Sequence, residues 1–274
     1  MKHFAPAVVA LVALLASGHL SRAADLPPAE KEAKARLNAS PRHGEFADVA
    51  VPGSDKAMKA YVVFPERKEK APVVIVIQEI FGLSDWIRGV ADQLAADGFI
   101  AIAPDMLSGP GGPGTESFAD RDGVTRAVRG LKPDDVTKML DATRAYGMKL
   151  PASNGKTATV GFCWGGAASF RYAAEQPELN AAVVYYGTSP DAAALAKIKA
   201  PVLGHYGAND ARVNATIEPA QAKMKELNKT YEVKIYDGAG HGFLRQQDGQ
   251  NGANMKAAQQ AWPETLKFIR EHTK

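Results

Sequence analysis

The chain is 274 residues long, with 33 lysines and arginines against 30 acidic residues, a formal charge of +3, and a single cysteine. So small an excess of positive charge gives no footing for nucleic-acid binding, and one cysteine leaves no intramolecular disulfide framework. The length is enough for one large hydrophobic core.

At the N-terminus, Lys2 and His3 precede an apolar run from Ala5 to Ala16, and small residues follow, with Ser21 and Ala23 placed for cleavage before Ala24. This is the pattern of an export signal. It is short for a membrane span and no stop-transfer pattern follows. The expectation is a signal peptide over residues 1–23, cleaved to leave a periplasmic or secreted protein with no stable membrane insertion; an uncleaved anchor is the competing reading. Cleavage would remove Lys2 and Arg22 and no acidic residue, and so two of the three net positive charges. Residues 24–45 are polar and charged, with Pro27-Pro28 opening a short helical pattern from Glu30 to Leu37, and read as an N-terminal arm. Residues 46–274 read as one domain.

Two candidate strands, Ala47 to Val51 and Met58 to Phe64, flank the turn residues Pro52-Gly53-Ser54-Asp55 and predict a hairpin at a sheet edge. From there the pattern alternates. Val73 to Gln78 is a β-branched run suited to a strand covered on both faces. Trp86 to Ala96 carries Ile87, Val90, Ala91 and Leu94 at helical spacing and stops before Gly98. Phe99 to Ala103 predicts a strand, Asp134 to Tyr146 a helix, Thr157 to Phe162 a strand and Ala167 to Ala174 a helix. Strands over Ala182 to Tyr186, Pro201 to Tyr206 and Tyr231 to Tyr236 follow, with helices over Glu218 to Leu227 and Ala257 to His272. Such alternation predicts an α/β fold, a mostly parallel sheet with helices on both faces. In that architecture chemistry gathers at the carboxyl ends of the strands.

Four reactive residues stand directly after predicted strands: Glu79, Cys163, Asp210 and His241. Cys163 lies in Gly161-Phe162-Cys163-Trp164-Gly165-Gly166, between a strand and a helix, which is the layout of a nucleophile elbow with cysteine in place of serine. A free thiol is mostly protonated near neutrality; an imidazole can take its proton, and a carboxylate can orient that imidazole. The chain order Cys163, Asp210, His241 is nucleophile, acid, histidine. His205 falls inside a strand and reads as a packed histidine. Asp237 belongs to the same strand and turn as His241 and ranks below Asp210 as the acid.

The segments Gln78-Glu79-Ile80-Phe81-Gly82, Ala103-Pro104-Asp105, Gly161 to Gly166, Asn209-Asp210 and Ala239-Gly240-His241-Gly242-Phe243 resemble the dienelactone hydrolase (carboxymethylenebutenolidase-like) family, over a match running from about Ala47 to the C-terminus. The resemblance implies the α/β-hydrolase fold and cleavage of a small carboxylic ester or lactone, with no metal and no organic cofactor. It implies a triad of Cys163, Asp210 and His241, and an oxyanion hole made by the backbone N–H groups of Ile80 and Trp164. It further implies that Glu79 lies against the resting thiol, and that Arg245 binds a substrate carboxylate and draws Glu79 away. A second carboxylate-binding arginine is expected after Ala-Pro-Asp, where this chain has Met106 to Gly111; Arg121, Arg126 and Arg129 each read as solvated surface residues rather than its replacement. Two other classes of function fit the residues: a non-catalytic binding protein on the same fold, and a redox sensor using Cys163, the latter weakened by the absence of a second cysteine.

Overall fold

Alternating burial in the β-branched runs sets the centre of the molecule. In the computed structural model, which describes residues 25–274, strand β3 (Ala71–Ile77) turns Val74 and Val76 to one face of the sheet and Val73, Ile75 and Ile77 to the other, all fully buried. Strand β6 (Ala181–Tyr185) divides the same way, with Ala181, Val183 and Tyr185 on one side and Ala182 and Val184 on the other. Both faces must therefore be covered. Helices α1 (Glu30–Asn38), α2 (Asp85–Ala96) and α9 (Ala253–His272) cover one, and α4 (Pro133–Lys149), α5 (Trp164–Glu175), α6 (Ala192–Lys197) and α8 (Ile217–Glu226) the other. The expected signal peptide lies outside the described residues.

The sheet has eight strands in the order β1-β2-β4-β3-β5-β6-β7-β8, where β1 is Gly44–Val49, β2 Met58–Val63, β4 Ile100–Pro104, β5 Ser153–Phe162, β7 Val202–Gly207 and β8 Tyr231–Tyr236. The hairpin β1–β2 forms the edge, and β2 joins β4 antiparallel. Every other pairing is parallel. The carboxyl ends of β3, β5, β7 and β8 thus share one rim, and Glu79, Cys163, Asp210 and His241 follow them.

Three helices depart from the sequence expectation: α3 (Arg121–Arg129), α6 and α7 (Ala211–Asn214). Only Val124 and Val128 of α3 are buried, so its apolar face is too narrow to show as periodicity. Asp105 ties the segment before it back to the rim. Its carboxylate accepts from Thr115 N at 2.8 Å, Thr115 Oγ1 at 2.7 Å and Leu107 N at 3.1 Å, and Thr115 Oγ1 accepts from Leu83 N at 3.0 Å. The glycine- and proline-rich stretch is thereby closed on itself, and α3 starts beside Phe81.

Candidate active site

The turn between β5 and α5 leaves the thiol half-buried at the rim. Cys163 has φ 56° and ψ −113°, a conformation strained for any residue with a Cβ. The backbones around it approach too closely for side chains. A Cβ at Gly161 would lie 1.9 Å from Gly165 O, one at Gly165 would lie 2.4 Å from Ile77 O and 2.3 Å from Gln78 O, and one at Gly166 would lie 2.5 Å from Tyr185 O. Helix α5 therefore begins at Trp164, three residues before the apolar periodicity starts, and is pressed against the end of β3.

Cys163 Sγ is 3.0 Å from His241 Nε2, and His241 Nδ1 is 2.5 Å from Asp210 Oδ2. Asp210 is buried and His241 partly exposed. The turn after β7 is fixed by Asn209 N donating to Ala239 O at 2.9 Å, which also holds the turn after β8 that carries His241. Tyr186, directly after β6, packs its ring at a tilt against His241, with centroids 5.1 Å apart, and edge-on against Phe243 at 5.4 Å. It is fully buried with φ 39°, and its hydroxyl has no hydrogen-bond partner among the described residues. The sequence reading took Tyr186 as the last residue of the strand; β6 stops one residue earlier, which puts Tyr186 on the rim under the same rule that picked out its neighbours.

Glu79 is 2.6 Å from Arg245, measured from Oε2 to Nε, with the N–H off the line between them. Both side chains are almost entirely buried, at 3 % and 9 % exposed. The structure brings Glu79 onto Arg245 and the thiol onto His241. Burial outweighs the attraction of Arg245 and pushes Glu79 up to about 7. Burial first and the neighbouring Glu79 charge second push the thiol up to about 11, opposed by the Trp164 N–H and by the charges of Arg212 and Arg245. The resting sulfur is protonated at neutral pH.

Arg245 Nη1 also pairs with Glu30, in the arm, and Arg121 Nη2 meets the other oxygen of the same carboxylate at 2.5 Å. Arg121 reaches the rim through this pair while its side chain stays 53 % exposed, as expected of a surface residue, and Arg126 and Arg129 are exposed as well. Neither contact is visible in the sequence, since Glu30 and Arg245 are 215 positions apart. His205 is the packed histidine expected. Its Nδ1 sits 2.8 Å from Tyr236 OH and its Nε2 3.0 Å from Thr265 Oγ1, and burial lowers it to about 3. Asp237 is exposed. A mostly apolar cavity of about 170 Å³ lies between α4 and α5, lined by Leu131, Val136, Leu140, Trp164, Ala168 and Arg171, and none of Cys163, His241, Asp210, Glu79 and Arg245 lines it. Among the described residues no cluster of His, Cys, Asp and Glu is arranged to hold a metal ion.

The match to known proteins covers both the fold and this rim. Residues 58–273 match the family model described as the dienelactone hydrolase family. A Salmonella typhimurium (strain LT2) protein with the provisional name carboxymethylenebutenolidase is 31 % identical over 236 residues, covering 81 % of this chain and 86 % of its own. A Yersinia pestis protein provisionally named the same way is 31 % identical over 250 residues, covering 86 % and 92 %. The crystal structure of a provisionally named dienelactone hydrolase from Klebsiella pneumoniae superposes with a TM-score of 0.72 at 28 % identity, over 84 % of this chain and 99 % of that one. The sheet and its helices are the α/β-hydrolase fold, and the chain belongs to the dienelactone hydrolase family of hydrolases.

Proposed function

We propose that the protein hydrolyses small carboxylic esters or lactones with Cys163 as nucleophile, and that it does so after export. The reading is carried by one observation: the unbroken line Sγ, Nε2, Nδ1, Oδ2, with gaps of 3.0 and 2.5 Å, at the end of a strained elbow. Because the surroundings disfavour a free thiolate, His241 removes the thiol proton as the sulfur attacks the carbonyl carbon, and Asp210 stabilises the imidazolium that forms. The carbonyl oxygen becomes an oxyanion held by the N–H groups of Ile80 and Trp164. His241 then passes its proton to the leaving alkoxide oxygen, and a thioester remains on Cys163. Water, deprotonated by His241, attacks that thioester; the C–S bond breaks, His241 returns the proton to the sulfur and the acid departs.

Glu79 sets the resting charge on the thiol and holds Arg245 in place. Localisation rests on the N-terminal pattern of residues 1–23, with a periplasmic or secreted mature protein as the consequence. Turnover of para-nitrophenyl acetate by purified Cys163→Ala and His241→Ala tests the mechanism. Each substitution lowers kcat/KM by about a thousandfold or more with the far-ultraviolet circular dichroism unchanged. Near-normal turnover by either variant would refute the assignment.

A further inference from the structure

The arm delivers a carboxylate to the rim by a fixed route. Pro27 and Pro28 are buried, and their carbonyls accept from Gln247 Nε2 and Trp86 Nε1, each at 2.9 Å. Glu30 N donates to Arg245 O at 3.0 Å. These bonds set the first turn of α1, so that Oε2 of Glu30 meets Arg245 and Oε1 meets Arg121. The Phe81 ring lies against both guanidiniums, its centroid 3.7 Å from Arg121 and 5.0 Å from Arg245. Glu79, Arg245, Glu30 and Arg121 thus form a charge-balanced row that starts next to Cys163. Two guanidiniums converging on one carboxylate beside an aromatic face make an anion site. Its occupant here is the chain's own side chain.

We infer that Glu30 is a specificity-determining residue: it fills the anion site of Arg245 and Arg121 and so turns the protein away from ligands that carry a carboxylate toward those that are neutral at that position. A carboxylate entering the row would meet a like charge and find both arginines paired. The inference rests on the proposed hydrolase site for its bearing on substrates. Its binding claim can be tested without it.

Calorimetric titration of the full chain with para-hydroxybenzoate, and with para-hydroxybenzamide as the neutral counterpart, reads the anion site with no ester present. Glu30→Gln strengthens para-hydroxybenzoate binding relative to the amide by about tenfold or more, and Glu30→Ala does the same should the glutamine amide itself hold the guanidiniums. Adding Arg121→Gln to Glu30→Gln removes most of that gain. Glu32→Gln, on the exposed side of α1 and with the same change in net charge, leaves the ratio within about twofold of wild type. No gain in either Glu30 variant, an equal gain for the amide, or an equal gain from Glu32→Gln would overturn the inference. Hydrolysis of para-acetoxybenzoate and para-acetoxybenzamide is followed separately. Binding gain without any turnover would sink the hydrolase reading and leave the role of Glu30 standing.

Discussion

The sulfur of Cys163 is kept as a thiol by two things that a substitution can separate. Burial would persist if Glu79 were neutral, whereas the repulsion between thiolate and carboxylate would not. Wild-type Cys163 is therefore expected to react slowly with iodoacetamide at pH 7 and faster as pH climbs toward about 11. Glu79→Gln shifts that profile to lower pH without returning it to the range of a free thiol. A wild-type profile with its midpoint below the free-cysteine value, or a Gln variant that leaves it in place, would contradict the electrostatic account. Glu79 itself makes a second prediction. Its pKa is raised from 4.5 to about 7, so across that window the folded protein keeps a proton that the unfolded chain has released, and stability falls as pH rises through it. Glu79→Gln abolishes this loss. The melting temperature of the variant relative to wild type should rise between pH 4.5 and 7 and level off above. A constant difference across the window would mean that Arg245 keeps Glu79 ionised throughout.

Among the elements, the elbow between β5 and α5 is the one with least room. Gly161→Ala would put a methyl 1.9 Å from a backbone oxygen that α5 cannot move without shifting the thiol. Overpacking of this kind costs about 2–3 kcal/mol or more, a drop of roughly 4–12 °C in melting temperature for a chain of this size. Thermal unfolding of Gly161→Ala checks it, and a drop smaller than the lower bound would show that the elbow is looser than its contacts indicate. The elbow was legible in the sequence because each of its glycines answers a local steric demand. The strands were legible for the same kind of reason, since residues buried on both faces must be continuously apolar. Helix α3 was not, because it buries only two valines, which pack with Leu107 and Trp164 in a small cluster apart from the main core. The place of Arg121 and Glu30 in the site was illegible because charged side chains on polar helices carry no sign of a partner far along the chain.

At the scale of the whole molecule, the arm and the sheet rim form one unit. Trp86, Gln247 and Arg245 all bond to the arm, and Ala33 is fully buried in the core under α1. If the leader is removed where the sequence expects, the mature chain begins at Ala24, immediately before this docked segment. N-terminal sequencing of protein from its native host should return a start at or near Ala24, and a start at Met1 or Lys2 would refute cleavage. The rim holds a thiol beside arginines already paired with the chain's own carboxylates. The hydrolase account depends on the sulfur becoming covalently acylated during turnover. Acid-quenched mixtures of wild-type protein and para-nitrophenyl acetate, digested and examined by mass spectrometry, test that step most directly. The account predicts an acetyl group on the peptide containing Cys163 and none on any peptide of Cys163→Ala; steady turnover with no label on that peptide, or an unchanged rate in Cys163→Ala, would contradict it.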